Sequence, residues 1–208
     1  MKYSFKNDYS EGCHPKILEA LSQYNLDQQN GYGLDIYSEN AANIIREKSK
    51  SPESKVHLVS GGTQANLIVI SSILRPHESV VSANTGHIFT NETGAIEATG
   101  HKVHGVETKD GKLRPEDIQN VLDVHTNVPH QVKQKLVYIS NSTEVGTIYT
   151  KKELENLSEF CKKKNLYLFM DGARLGHALT AKSNDVTWED VAKLTDVYYL
   201  GGTKNGAL

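Results

Sequence analysis

Short runs of apolar residues alternate along this chain with longer amphipathic stretches. Six runs have the length of strands and are rich in Val, Ile, Leu and Tyr; they cover residues 56–60, 79–83, 102–106, 135–140, 165–170 and 196–200. The run "LYLFM" is continuously apolar, which is typical of a strand that is covered on both faces. Because strands that alternate with helices favour βαβ units, we predict an α/β fold with a mainly parallel sheet.

Helices are predicted between these strands, and several have recognisable start signals. Thr150 followed by Glu153 matches a capping box, and Pro115 precedes two acidic residues, which suits a first helical turn. One helix should follow the glycines at 61–62, and four more should cover 88–98, 114–122, 151–164 and 187–194. Two further helices are predicted at 15–24 and 37–50. We therefore expect an N-terminal helical segment, 1–50, packed on a large domain, 51–208.

Charge and composition argue against several classes of partner. The 208 residues carry 23 basic and 25 acidic side chains, for a net charge of −2. That balance gives no reason to expect a nucleic acid or an anionic membrane. The first twelve residues lack the apolar run of a signal peptide, and no stretch approaches the roughly 18 apolar residues that cross a membrane. Two cysteines, Cys13 and Cys161, suit a reducing compartment, so we expect a cytoplasmic protein.

Polar residues follow several of the predicted strands, at the edge where open parallel sheets bind ligands. Gly62 and Thr63 open a helix after the run at 56–60, and free N–H groups at such a helix start favour a phosphate. A tight strand-to-helix turn without a ligand is the alternative. His87 follows the next strand, either as a ligand contact or as a packed or surface histidine.

An acid and a lysine follow two later strands. Asp171 ends the run at 165–170 and needs a cation if it is buried, either the nearby Arg174 or a cationic ligand. Lys204 follows the last strand in the glycine-rich stretch "GGTKNGAL". Pyridoxal phosphate requires such a set, namely an anion cradle, a ring-stacking group, a carboxylate for its pyridinium nitrogen and an amine.

The nine histidines suggest a zinc enzyme as a weaker alternative. His101 and His104 are three positions apart in a predicted strand, so their side chains should point to opposite faces. No Cys/His cluster has ligand spacing. We expect no metal site.

Several motifs resemble the threonine aldolase/beta-eliminating lyase family of fold-type-I pyridoxal-phosphate enzymes. They include "GYGLDIYSE", "SGGTQANL", "ETGAIEATGHKV", "MDGARLG" and "YYLGGTKNGAL", and they extend over nearly the whole chain. The resemblance implies a three-layer α/β large domain, pyridoxal 5′-phosphate as cofactor, and a small amino acid as substrate. It also implies a homodimer or homotetramer with "GYGLDIYSE" near the neighbouring subunit.

Roles follow from the resemblance position by position. Lys204 resembles the Schiff-base lysine, and Asp171 the partner of the pyridinium nitrogen. His87 resembles the residue stacked on the cofactor ring, with a possible part in proton transfer. Arg174 resembles the arginine near the cofactor's phenolic oxygen and the substrate carboxylate. Gly62-Thr63 resembles the phosphate cradle. Asn7 falls where the family has a substrate-facing polar residue.

Two features depart from the family pattern. Glu144 stands where well-known threonine aldolases carry a second active-site histidine. The family also continues past the lysine into a small C-terminal domain, so we expect the large domain of this chain to be incomplete. The expected function is a low-specificity threonine aldolase that cleaves L-threonine and L-allo-threonine to glycine and acetaldehyde. A beta-eliminating amino-acid lyase and a catalytically incompetent remnant are the alternatives.

Overall fold

A single parallel sheet forms the centre of the molecule. A computed structural model describes residues 4–208, so the first three residues of the predicted 1–50 segment lie outside the described residues. The sheet has five strands in the order β2-β1-β3-β4-β5, all paired in parallel. Their bounds are β1 Glu78–Ala83, β2 Lys102–Val106, β3 Lys133–Ser140, β4 Tyr167–Asp171 and β5 Val197–Tyr198. The predicted α/β fold is confirmed.

Helices connect the strands and cover both faces of the sheet. Their bounds are α1 Pro15–Tyr24, α2 Ile36–Lys48, α3 Gly62–Ile73, α4 His87–Thr90, α5 Ala95–Ala98, α6 Pro115–Val124, α7 Lys151–Lys163, α8 Leu175–Thr180 and α9 Trp188–Leu194. A 3₁₀ turn, Thr203–Asn205, follows β5. Within residues 4–208, no helix has both the length and the apolar character needed to cross a membrane.

Neighbouring residues of each central strand enter different hydrophobic cores. Val80, Leu136 and Phe169 pack with α3, α4 and α5 on one face. The next residue of two of these strands, Val81 and Val137, packs with α6, α7, α8 and α9 on the other. This alternation produces three layers and explains why the strand sequences are continuously apolar. Each fully buried aliphatic side chain contributes roughly 1.5–3 kcal/mol to folding.

Two predicted elements are wrong. The predicted helix at 88–98 is two short helices, because the chain turns between them at Thr93 and Gly94, where φ is 51° and 77°. The predicted strand at 56–60 does not form: this segment has no regular secondary structure, and no strand within residues 4–208 pairs with it. Both this segment and β5 line a cavity. A strand needs a neighbouring strand about 4.8 Å away, whose N–H and C=O groups pair with its own, and an apolar sequence alone does not provide one.

The N-terminal segment reaches the rest of the chain through a few polar contacts. The backbone N–H of His14 donates to the carbonyl oxygen of Gly206 at 2.9 Å. Lys50 Nζ lies 2.6 Å from a carboxylate oxygen of Glu189 in α9. Helix α1 itself buries no residue. The boundary near residue 50 stays a prediction.

Two buried histidines lie at the outer strand β2. His101 contacts the carbonyl oxygen of Glu78, whereas Nε2 of His104 lies 3.1 Å from Ser79 Oγ. The His104 ring meets the His125 ring edge to face, with 4.5 Å between their centroids. Burial, with a smaller effect of His125, lowers the pKa of His104 from 6.5 to about 4. The neutral form is therefore the one that this site stabilises.

We predict that His104 makes the fold sensitive to mild acid. Its folded-state pKa is below its unfolded value, so the unfolded chain binds more protons between pH 6.5 and 4. Stability should therefore fall as pH falls through that window. Between pH 7 and pH 5 the contribution of His104 is a loss of about 2 kcal/mol. His104→Gln should remove most of that loss, measured as the free energy of unfolding in urea at both pH values.

His130→Gln is the matched control, because His130 is exposed and should leave the pH dependence unchanged. An equal pH dependence in wild type and His104→Gln would contradict the prediction.

Candidate active site

A cavity of about 930 Å³ opens at the carboxyl edge of the sheet. Six of the residues that the sequence singled out line it, and they come from four separate parts of the chain: Gly62, Thr63, His87, Asp171, Arg174 and Lys204. The parallel sheet explains this convergence, because the ends of its strands deliver the following residues to one edge. The structure places these residues together, and their individual roles remain predictions.

Lys204 lies in the 3₁₀ turn after β5. Hydrogen bonds hold the backbone of this turn, whereas the Lys204 amine has no ion-pair partner within residues 4–208. Its carbonyl oxygen contacts Nε2 of His177 at 2.8 Å. The adjacent Asn205 donates from Nδ2 to the carbonyl oxygens of Ala173 and Gly201 at 3.2 and 2.8 Å. The amine lies 5.7 Å from the centroid of the Tyr9 ring and forms no ion pair with residues 4–208. The turn thus presents a primary amine to the cavity.

Asp171 ends β4 as a buried carboxylate that hydrogen bonds hold in place. Its Oδ2 accepts from the hydroxyl of Tyr138, and its Oδ1 accepts from the backbone N–H of Ala173 at 3.0 Å. Burial and the neighbouring Asp171 raise the pKa of Tyr138 well above its ordinary value, so the phenol remains a donor. The alternative of an ion pair between Asp171 and Arg174 is wrong, because Arg174 has another partner.

That partner is Asp8, in the N-terminal segment. Nε of Arg174 lies 2.5 Å from Asp8 Oδ2, and its NH2 group lies 3.0 Å from Oδ1, a two-point contact. Hydrogen bonding to Arg174 lowers the pKa of Asp8. Asn7, which the resemblance had favoured, accepts only from the backbone N–H of Tyr9, at 3.2 Å. No local sequence signal identifies Asp8, because it lies 166 positions from Arg174.

His87 begins α4 between two carboxylates. Its Nδ1 lies 2.7 Å from Glu92 Oε1, and its backbone N–H donates to Glu144 Oε1 at 3.0 Å. Hydrogen bonding to Glu92 raises the pKa of His87 against the opposing effect of burial. Burial raises the pKa of Glu144, whose Oε1 also accepts from Ser140 Oγ at 2.7 Å. No sequence pattern selects Glu92, because residues 88–98 have the character of one continuous helix.

Helix α3 begins at Gly62 with its first turn facing the cavity. Gly61 precedes it, and no side chain caps its N–H groups. The first N–H groups of a helix have no partner within the helix and favour an anion. Gly62 also packs tightly, since an added Cβ would lie 2.7 Å from the hydroxyl of Tyr199. A phosphate group suits this end of the cavity.

Comparison with known proteins identifies the family of this chain. The family model for beta-eliminating lyases matches residues 9–208. The chain belongs to the beta-eliminating lyase family. Its curated relatives include low specificity L-threonine aldolases from Pseudomonas aeruginosa, 31% identical over 97% of this chain, and from a Pseudomonas species, 33% identical over 97%.

Solved structures show which fold this chain shares. A threonine aldolase from Leishmania major is 54% identical over 99% of this chain, with a TM-score of 0.97. An archaeal alanine:glyoxylate aminotransferase, 18% identical with a TM-score of 0.64, shares the fold. The chain spans 58% of the length of the two Pseudomonas relatives and 60% of the Leishmania chain. The predicted three-layer, fold-type-I domain is therefore confirmed.

The strand ends that carry Asp171 and Lys204 are in very close contact at Gly172. An added Cβ on Gly172 would lie 1.8 Å from the carbonyl oxygen of Tyr199, well inside any permitted contact. We predict that Gly172→Ala destabilises this member of the beta-eliminating lyase family by about 3 kcal/mol or prevents folding, because backbone atoms must separate. Urea denaturation followed by circular dichroism measures the effect.

Gly12→Ala is the control, because an added Cβ there has no neighbour within 4 Å. Its effect should stay within about 0.5 kcal/mol. A Gly172→Ala protein as stable as wild type would show that the two strand ends are not in contact.

Proposed function

We propose that this chain forms the cofactor-binding part of a pyridoxal-phosphate-dependent amino-acid lyase. Its favoured reaction is that of a low-specificity threonine aldolase, which cleaves L-threonine and L-allo-threonine to glycine and acetaldehyde. The observation that carries the proposal is the shared cavity of Lys204, Asp171 and the open first turn of α3. The family and the named threonine aldolase relatives indicate pyridoxal 5′-phosphate as the cofactor.

The residues of the cavity fit that cofactor. Asp171 is a buried carboxylate with two hydrogen-bond donors and no ion pair within residues 4–208, which suits a cationic ring nitrogen. The first turn of α3, beginning at Gly62-Thr63, suits the phosphate, and Lys204 offers the amine for the aldehyde. His87 lies on the cavity wall, where an imidazole can cover the ring. When bound, the cofactor supplies an electron sink for the electron pair released at the substrate Cα.

Arg174 is proposed to orient the substrate carboxylate. Its guanidinium already accommodates the Asp8 carboxylate through two nitrogens, which is the geometry that a carboxylate ligand uses. The Arg174 and Asp8 side chains are only partly buried, so an incoming carboxylate can reach them. Asp8 and a substrate would therefore compete for the same guanidinium or share it.

Glu144 is proposed to accept the proton of the substrate β-hydroxyl. Its Oε1 is occupied by the N–H of His87 and the hydroxyl of Ser140, so Oε2 is the oxygen that remains available. Burial raises the pKa of this carboxyl, which brings it closer to neutral pH and makes proton exchange easier. Removing the hydroxyl proton is what Cα–Cβ cleavage requires, whereas β-elimination must protonate or release that hydroxyl group.

Assembly and location are proposed on separate grounds. Residues 26–37 carry large apolar side chains in water, with Leu26 89% and Leu34 76% exposed. A second copy of the chain is the proposed cover, in a homodimer or homotetramer. We propose a cytoplasmic protein because Cys13 and Cys161 are both free. We also propose residues 1–50 as a helical segment on the domain 51–208.

We predict that the cofactor attaches to Lys204. Borohydride reduction of the 208-residue protein with pyridoxal phosphate, followed by mass mapping of peptides, should place the pyridoxyl group there. Lys204→Ala should lose this adduct, because Lys204 is the amine that the turn after β5 presents to the cavity beside Asp171. Lys193→Ala, at an exposed position, is the control and should keep it.

Asp171→Asn should also keep the Lys204 adduct while slowing turnover strongly, because it changes the ring partner and leaves the amine in place. A specific adduct that persists in Lys204→Ala would be incompatible with the proposed cofactor site.

The products from L-threonine identify the reaction. Aldol cleavage gives glycine and acetaldehyde, whereas β-elimination gives 2-oxobutyrate and ammonia, and mass spectrometry distinguishes the two pairs. We predict cleavage, and we expect Glu144→Gln to slow it about 100-fold because an amide is a poor base. Glu159→Gln, an exposed change, is the control. Elimination products would support the second candidate. No turnover by unreduced protein with added pyridoxal phosphate, when a parallel sample forms the Lys204 adduct on reduction, would support the incompetent remnant.

A further inference from the structure

The carboxylate of Glu92 is buried, and its two oxygens differ in the number of hydrogen bonds that they form. Its side chain is only 1% exposed, between α4 and α5. Oε1 receives two contacts, from Nδ2 of Asn66 at 3.0 Å and from Nδ1 of His87 at 2.7 Å. Oε2 has no hydrogen-bond partner in the described part of the chain. A buried carboxylate costs folding free energy, so its position calls for a physical reason beyond packing.

The contact with Glu92 determines which nitrogen of His87 faces the cavity. An ionised carboxylate can only accept, so Nδ1 of His87 must carry a hydrogen. In the neutral ring the lone pair is then on Nε2. Within residues 4–208, no group forms a hydrogen bond to Nε2, and the His87 side chain is 37% exposed on the cavity wall. The free nitrogen is therefore the one available to a bound molecule.

We infer that Glu92 is a positioning residue, which holds His87 so that Nε2 faces the cavity as a proton acceptor. This inference rests on the proposed function for the meaning of His87 at the site. It adds a residue that acts through another, because Glu92 borders the cavity with a side chain that is only 1% exposed and whose Oε1 contacts the His87 ring. A carboxylate that orients an imidazole in this way fixes both its tautomer and its ring orientation.

Asn66 fixes the carboxylate in turn. Asn66 is fully buried on α3, the helix whose first turn is proposed to hold the phosphate. One hydrogen-bonded chain therefore runs from α3 through Asn66 and Glu92 to His87. The His87 imidazole and the proposed anion site are therefore both held by α3. The distance between them is set by this helix and its hydrogen bonds.

Several charged groups face His87, and their effects differ. Hydrogen bonding to Glu92 is the largest effect and raises the pKa of His87, burial opposes it, Asp171 raises the pKa further and Lys204 lowers it. Glu144 contacts the backbone N–H of His87. Among residues 4–208, only Glu92 bonds to the ring itself, so its removal should change both the pKa and the tautomer.

The test is a pH titration of the 208-residue protein without cofactor, with its histidines labelled and followed by ¹⁵N and ¹H NMR. The His87 signals are assigned as those that are missing from the spectrum of His87→Gln. In wild type we expect neutral His87 to show the tautomer protonated at Nδ1. Glu92→Gln should lower the pKa of His87 by about one unit or more. Glu97→Gln, at an exposed position in α5, should leave that pKa unchanged.

An unchanged His87 pKa in Glu92→Gln would overturn the inference. If Glu92→Gln does not fold, the wild-type spectrum decides, because a neutral ring protonated at Nε2 would overturn it equally. Borohydride mapping of the same proteins, after pyridoxal phosphate has been added, separates the two proposals. A missing Lys204 adduct beside the expected His87 tautomer would count against the proposed function alone.

Discussion

The parallel pairing of β3 with β4 is the constraint on which the candidate site depends. Its register places Ser140 beside Asp171 at the last position of both strands. Tyr138, two residues earlier on β3, can therefore donate to the Asp171 carboxylate, and Ser140 can donate to Glu144 just beyond the strand. A shift of one residue would turn Tyr138 to the other face and leave the carboxylate buried without its donor.

Most charged side chains of the site form a hydrogen bond or ion pair with a neighbouring side chain. Asp171 has the Tyr138 phenol, Arg174 has Asp8, and His87 has Glu92. These contacts hold the side chains in place and offset the free-energy cost of partial burial. The amine of Lys204 is left without an anionic partner in the described residues. A group with that freedom is suited to reaction with an incoming aldehyde.

Most of the sheet and its helices followed from local patterns. The strand predicted at 102–106 matches β2, and the capping box at Thr150 begins α7 as expected. The predictions that missed concerned features that local sequence does not encode. Residues 56–60 have strand composition but no paired neighbour, and the turn at Thr93-Gly94 divides a stretch of helical character. Tertiary context decided both cases.

The sequence by itself determined the class of fold and the residue types available at the carboxyl edge of the sheet, because strand periodicity and the residues after each strand are local properties. Only the tertiary structure decided which charges meet. Asp8 and Arg174 are 166 positions apart, and His87 and Glu144 are 57. No local rule relates such positions. Their contacts exist because the sheet brings distant segments to one cavity, where burial makes each unpaired charge costly.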